Sequence, residues 1–505
     1  MASSSNVRSL RDRTRDALSW LACTDHRQLG LAHLTLIVAA MFVASMDAAF
    51  SPLIAGSRPD TAVDLLRVHG VVMVLLCVVP AVPSTLGNFL LPSLVGAKAM
   101  AFPWVGRAAL ALHFAGFALV LAATQSGATT HAGNATMVLG HAGVSVSWLV
   151  AAMTVLVLSS ALDAVNVLVT MHTRRPLSVP WRALPTLSWA LYGASLTSLL
   201  TAPVLCVGVL LVVGERTIGL GVLDPQLGGN PSLLPYLLWL YLHPALAGAF
   251  IAAMGVVSHV LAAHSSRPVH GSMGPVFVLL AIASAFGWGQ HVYAAAISGL
   301  VVVEMSFGAL LFQVPLVFLM TRWLAALRAP IALRTPMLYA LAFIAHFAVA
   351  APTGLMLALP NLGPYLGAST FAIGHLHYLA AGGVVFALLA GLHHVWPTLT
   401  GRLYDERHSK VAFIALLAGT ELAFFPMLIL GSRGVPRSAL GASRAMEGWQ
   451  IVSSLGVVLT VVALLAAFGI LLAAMVRGER VTHRSAVSGN SPEPSASELV
   501  AGLRP

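Results

Sequence analysis

Long apolar runs, separated by short polar or Gly/Pro-rich breaks, dominate the chain between residues 29 and 476. A bilayer core of roughly 30 Å needs about 20 apolar helical residues per crossing. Twelve runs meet that length: 29–50, 65–92, 104–123, 137–168, 187–213, 232–262, 272–298, 301–327, 335–359, 369–399, 411–431 and 449–476. The seventh and eighth are almost continuous. Helices satisfy their own backbone hydrogen bonds in lipid, so the pattern predicts an all-α, polytopic membrane bundle of about twelve transmembrane helices, one domain over residues 29–476. Residues 1–28, with Arg8, Arg11, Arg13, Arg15 and Arg27, read as a retained basic cytoplasmic tail without the pattern of a secretory signal. Residues 477–505, Ser/Pro/Glu-rich from about Thr482, read as a disordered cytoplasmic tail.

Composition narrows the class. The chain has 505 residues, 58% hydrophobic and only 9% charged, against about 25% charged in soluble proteins, which excludes a large water-soluble enzyme. Its net charge of +10 comes from 27 Lys+Arg against 17 Asp+Glu. With the N-terminus inside, 21 of the 27 cations fall on one face of the twelve-helix topology and 6 on the other. That is the positive-inside asymmetry, and it makes both termini cytoplasmic. The charge therefore orients the bundle, and no nucleic-acid partner is expected. Cys23, Cys77 and Cys206 make no pair spacing, which argues against a disulfide framework or a zinc or iron–sulfur site.

Nineteen histidines in so apolar a chain are the anomaly, because ionisable groups inside a membrane are costly and mark function. Counting 1.5 Å per residue, His69 lies about one turn below the outer end of the second helix. His375 and His377 lie about two turns below the outer end of the tenth. His243 is about three turns into the sixth helix, and His291 about two turns into the seventh. Five histidines from four helices share one slab of the outer half. Two residues on a helix turn about 200°, so His375 and His377 point to opposite sides and each can serve a different cofactor. Histidine is the usual axial ligand of heme iron, and imidazole also suits copper, iron and zinc. A single membrane histidine more often bonds a neighbouring helix; the shared depth argues against that for these five. His26, His172, His264, His270, His393, His394, His408 and His483 lie near the inner face, His131 and His141 near an outer loop. His33, His113, His259 and His346 read as isolated.

These residues sit in a series of short motifs. Thr24-Asp25-His26 is followed by His69-Gly70, GNFLLP (Gly87 to Pro92), AMAFP (Ala99 to Pro103) and DPQLGGNP (Asp224 to Pro231). Then come His243-Pro244, HVY after Trp288, and GHLHY (Gly374 to Tyr378) with WPTLTG beyond it. In this order and on these helices, the series resembles subunit I of the heme–copper oxidases, the family of cytochrome c oxidase and its nitric oxide reductase relatives. The likeness runs from Thr24 to about Gly434.

The resemblance implies roles. His69 and His377 would be the two axial ligands of a low-spin heme between the second and tenth helices. His375 would be the single proximal ligand of a high-spin heme, its other face open to a gas. His243 and His291 would hold a second metal facing that iron. The lateral arrangement of the helices is likewise implied by the family. Departures qualify the function. One histidine of the family's adjacent pair is Gln290, a weaker and harder ligand, so the second metal is expected to be copper, with iron or no metal as alternatives. The family's helix-six tyrosine is Ala247 and its carboxylate Ala245. The acid before MAFP is Ala99, beside Lys98. The lysine four residues before Trp323 is Leu319, and the magnesium-binding His-Asp pair is Gly367-Ala368. Asp163 and Glu304 are candidates to start another proton path; Asp47 and Glu421 are further buried acids.

The resemblance thus implies the catalytic subunit I-like component of a respiratory oxidase. Electrons would enter at the low-spin heme and pass to the high-spin heme and metal, which reduce O2 to water without pumping through the usual channels. Two alternatives stand beside it: a nitric oxide reductase, which needs no tyrosine, and a non-catalytic heme-binding subunit for electron transfer, sensing or assembly. The expected partners are membrane lipid, a diatomic gas, and an electron donor, either a subunit II-like chain or cytochrome c, because this sequence has no cysteine pair for a dinuclear copper. The Arg-for-Lys, Ala-rich composition suggests a bacterial cytoplasmic membrane.

Overall fold

The computed structural model describes residues 24–54, 65, 66, 68–125, 144–266, 273–287, 299–436 and 447–481. Every predicted apolar run holds a helix: α1 (His26–Ile54), α2 (Val68–Leu94), α3 (Pro103–Gln125), α4 (Val144–Thr173), α5 (Thr186–Ile218), α6 (Leu233–His264), α7 (Gly274–Ser284), α8 (Gly299–Ala326), α9 (Thr335–Ala358), α10 (Thr370–Thr400), α11 (Glu406–Ser432) and α12 (Glu447–Arg477). Among the described residues, eleven are long and apolar enough to cross a membrane, and α7 is a shorter apolar helix. The architecture is an all-α, polytopic membrane bundle.

Two helix starts differ from the apolar pattern because polar first turns extend them. α1 begins at His26, where Asp25 accepts the backbone N–H of Arg27 at 2.9 Å and of Gln28 at 3.1 Å. α11 begins at Glu406, where Asp405 accepts the N–H of His408 at 2.9 Å. Such caps satisfy donors that the helix itself leaves open. The His408 backbone N–H, and then its ring, hold the Asp405 carboxyl below its ordinary pKa.

Burial grades from the centre outward. In α6, 83% of the most apolar stretch is buried, and in α10 72%, against 28% in α8. Leu210 of α5, Phe307 of α8 and Val476 of α12 are exposed, as lipid-facing side chains are. Where helices approach most closely, small residues make room, the usual device in membranes. Gly255 of α6 lies against the Ala190 side chain of α5. Gly456 of α12 lies against the backbone of Leu422 and Ala423 in α11.

The helices that bear the predicted heme ligands are also the irregular ones. α2 contains π-helical turns at Val72–Val78 and Ala81–Gly87, around Pro80 and Pro83. α10 contains one at Ala380–Val385, over Gly382 and Gly383. Such turns concentrate at functional sites and re-aim the side chains around them.

A test of the close packing follows. Gly456→Val has no space against the α11 backbone and is expected to lower stability by about 1–3 kcal/mol, read by thermal unfolding of the detergent-solubilised protein. Gly469→Ala, on a face of α12 where an added Cβ meets nothing within 4 Å, is expected to be neutral or slightly stabilising.

Candidate functional site

α10 starts at Thr370, where Ser369 Oγ accepts the Phe371 N–H at 3.2 Å. His375 and His377 fall in its first two turns. The His377 ring faces His69 of α2, with centroids 6.0 Å apart and planes 16° from parallel. Phe424 of α11 packs on His377 at 4.2 Å and 18°. His375 turns instead to α9, its Nδ1 3.0 Å from Thr353 Oγ1, and lies close enough to His243 of α6 for a charge on one to act on the other. The four described site histidines therefore form two pairs: His69 with His377, and His375 with His243. Gln290 and His291 lie outside the described residues. Among the described residues, no group of three or more His, Cys, Asp or Glu side chains could hold a metal.

The hydrogen bonds fix the tautomers. His69 Nδ1 is 2.8 Å from the Ala44 carbonyl, and His377 Nδ1 is 2.8 Å from the Ile373 carbonyl. A carbonyl only accepts, so both Nδ1 atoms carry the proton. Thr353 donates its hydroxyl to the Val349 carbonyl at 2.8 Å and must accept from His375, so that Nδ1 is protonated too. Each ring is left with an unprotonated Nε2, the form in which imidazole binds a metal while its other nitrogen is anchored. His346 and His393 make the same bond to the carbonyl four residues back, so the tautomer alone does not mark the site. What distinguishes His69 and His377 is that they face each other from different helices.

Glycines keep the second pair open. A Cβ at Gly354 would stand 2.9 Å from His375 Cε1, and one at Gly287 would stand 2.8 Å from His243 Nε2. The rings of His69 and His377 are part-buried within an otherwise apolar interior. Opposed neutral imidazoles with open ring edges are the donor chemistry that a planar iron macrocycle requires, so the residues fit heme.

Other pairings were not visible in sequence. His33 and His113, expected to be isolated, join through their Nδ1 atoms at 2.9 Å, and His113 Nε2 donates to the Leu76 carbonyl at 3.1 Å. His259 packs edge-on to His394, with ring centroids 5.6 Å apart. His346 Nε2 lies 3.1 Å from Glu421 Oε1, whose Oε2 accepts the Tyr378 hydroxyl at 2.6 Å. These four histidines are thus corrected from isolated to paired. Their partners lie far away in sequence, and the one available signal was an acid inside an apolar run, which Glu421 and Asp163 both gave. Asp163 of α4 accepts from Ser84 of α2 at 2.5 Å. Asp47 is part-buried on α1, and the Glu304 side chain lies outside the described residues.

A family model described as Cytochrome C and Quinol oxidase polypeptide I matches residues 28–482. Cytochrome c oxidase subunit 1 of Cereibacter sphaeroides is 30% identical over 426 residues, covering 82% of this chain and 75% of the relative. The subunit 1 of Thermostichus vulcanus is 30% identical over 446 residues, covering 86% and 80%. That of Candida albicans is 27% identical over 478 residues, covering 91% and 90%. Among solved structures, a heme–copper terminal oxidase dimer determined by cryo-EM shares the fold with a TM-score of 0.74 at 14% identity, over 94% of this chain and 89% of that one.

The Tyr378–Glu421 bond joins α10 to α11 directly beside His377. A double-mutant cycle of Tyr378→Phe and Glu421→Gln, read by thermal unfolding, is expected to give a coupling of about 1 kcal/mol. Additive effects would show that the bond does not hold the two helices together.

Proposed function

The chain belongs to the Cytochrome C and Quinol oxidase polypeptide I family, and from that membership we propose that it is the catalytic, subunit I-like component of a respiratory heme–copper oxidase that reduces O2 to water. It is an integral, multi-pass membrane protein. The observation that carries the proposal is the divergence on α10: His377 opposed to His69 at 6.0 Å, with His375 turned instead to Thr353 of α9 at 3.0 Å.

His69 and His377 would hold one heme iron from both sides, and His375 would hold a second from one side only. Heme, when bound, would supply a one-electron store and a binding site for a diatomic gas. His243, with Gln290 and His291, would hold the second metal, copper by preference. The protein's part is orientation: Ala44, Ile373 and Thr353 anchor the three Nδ1 atoms, and Phe424 fixes the plane of His377. A single residue, Leu376, separates the two ligand positions on α10.

The usual proton anchors are apolar. Leu319 is fully buried, Ala245 is buried and Ala99 is exposed beside Lys98, so pumping by the familiar channels is not part of this reading. Electrons would come from a subunit II-like partner or a cytochrome c. Ala247 in place of the tyrosine leaves a second reading, reduction of nitric oxide, which dispenses with that residue, although the helix-six glutamates of nitric oxide sites are absent here too.

Gas uptake by the purified protein, with an artificial reductant, decides between them. O2 consumption faster than NO consumption is expected, and the reverse order would move the assignment to a nitric oxide reductase. Heme and metal analysis should find two hemes and one further metal per chain. His377→Leu should abolish the low-spin spectrum and spare the high-spin one, and His375→Leu should do the opposite. Two hemes with no second metal and no uptake of either gas would leave a non-catalytic heme protein.

A further inference from the structure

We propose that His264 and His394 form a binding site for a transition-metal dication of the Zn2+ or Cu2+ class, at the ends of α6 and α10 that the charge pattern assigns to the inner face. His264 Nε2 stands 3.4 Å from His394 Nδ1, with ring centroids 5.4 Å apart and planes at 70°. That is longer than an ordinary hydrogen bond from nitrogen, about 2.7–3.2 Å. Two nitrogens held tetrahedrally on one zinc, each at about 2.0–2.1 Å, stand about 3.3–3.4 Å apart. The spacing is thus that of two ligands around one ion. The site belongs to neither of the pairs His69–His377 and His375–His243, and it does not depend on which gas the chain reduces.

Both rings stand on backbone that is already fixed. His264 is the last residue of α6, and its carbonyl accepts the Ala332 N–H at 2.9 Å. Ser265 pairs with Ile331 in a short antiparallel bridge, and its hydroxyl donates to the Ala326 carbonyl at 2.9 Å. The end of α6 is therefore tied to the segment between α8 and α9. His394 lies inside α10, where its neighbour His393 donates to the Leu389 carbonyl at 2.8 Å and turns its ring to Tyr339 and Tyr404. His259, five residues earlier on α6, packs edge-on to His394 at 5.6 Å and 88°. Ligand positions held in place before binding lose little freedom when the ion arrives.

The donor set selects the ion. Imidazole suits zinc and copper, whereas magnesium and calcium take oxygen ligands. Arg334 lies close enough for its charge to act on His264, so nitrogen lone pairs, and not attraction to negative charge, hold a cation here. Both rings are part-buried, which leaves the ion's remaining positions to water. Two side-chain ligands agree with the absence, among the described residues, of any group of three that could hold a metal. They make an exchangeable ion, since structural zinc takes four protein ligands. On binding, the hydrogen between the two nitrogens gives way to the metal, the donor ring moving it to its other nitrogen. The ion then staples α6 to α10, the helices that carry His243 and His375.

The test uses the full-length, heme-loaded protein, stripped of loosely held ions with a chelator. Zn2+ is expected to raise its unfolding temperature, and further as free Zn2+ rises, because the ion binds only where both helices are in place. Mg2+ and Ca2+ are expected to leave it unchanged. His264→Ala and His394→Ala should each weaken Zn2+ binding at least about 10-fold, the loss that even a change outside the ligand set causes. With Cu2+ in place of Zn2+, electron paramagnetic resonance should show an added copper signal coupled to two imidazole nitrogens, reduced to one in either variant. Neither substitution touches His243, so copper taken up there is the same in all three proteins. No Zn2+-dependent shift in the wild type, or a shift and a two-nitrogen signal that survive in His264→Ala, overturns the site. If His394→Ala fails to take up heme, His264→Gln, which keeps a polar side chain at the end of α6, must lose the two-nitrogen signal, and its retention overturns the proposal.

Discussion

A neutral imidazole has one N–H and one lone pair, and inside a lipid-facing bundle neither can turn to water. This constraint organises the interior. In His69, His375 and His377 the N–H is taken by Ala44, Thr353 and Ile373, so the lone pair is aimed where the fold sends it. His33 and His113 form a directed chain that ends on Leu76, with His33 Nε2 3.9 Å from Asp163. His346 donates from Nδ1 to Ala342 and meets Glu421 Oε1 at 3.1 Å with Nε2, so both ring nitrogens face oxygen. Each buried histidine is thus a vector, and the direction is set by which backbone acceptor lies within reach.

Backbone irregularity and close packing set those directions. The π-helical turns of α2 and α10 add residues locally, rotating everything beyond them relative to a regular helix. Gly382 lies against the His346 ring, and Gly383 against Phe250, so the widened part of α10 is held by aromatic rings on two other helices. Gly431 of α11 lies against the Phe371 backbone, and Gly374 of α10 lies against Leu428. The first turns of α10 are clamped to α11 where His375 and His377 emerge. The two ligand positions are therefore held by helix contacts of near-zero slack, and no loop intervenes.

The helices were legible because lipid demands long apolar runs, and that demand is local. Their polar ends were not: α11 starts five residues before its apolar run, since Glu406, Arg407 and His408 are paid no hydropathy but gain the Asp405 cap. The opposed directions of His375 and His377 were legible from a spacing of two. The partnership of His33 with His113, 80 residues apart, and of Tyr378 with Glu421, 43 apart, depends on how helices lie side by side, which hydropathy does not encode. Motif order supplied the pairing of His69 with His377, because the family likeness carries the lateral arrangement.

The altered polar positions form one pattern. A carboxyl in the bilayer persists only where hydrogen bonds and water reach it. Among the described residues α6 is the most buried span, and beside Tyr241 its Ala245, Gly248 and Ala249 present small apolar groups to a cavity of about 30 Å³ between α2, α4, α5 and α6. α4 offers what α6 does not: a serine donor from α2, an imidazole from α1, and a polar face leading to the 98–102 segment. An acid at 163 is solvated by its neighbours in a way that an acid at 245 would have to be by water alone. Ala245 and Asp163 therefore stand on different walls of the same space, with the acid where its neighbours can solvate it.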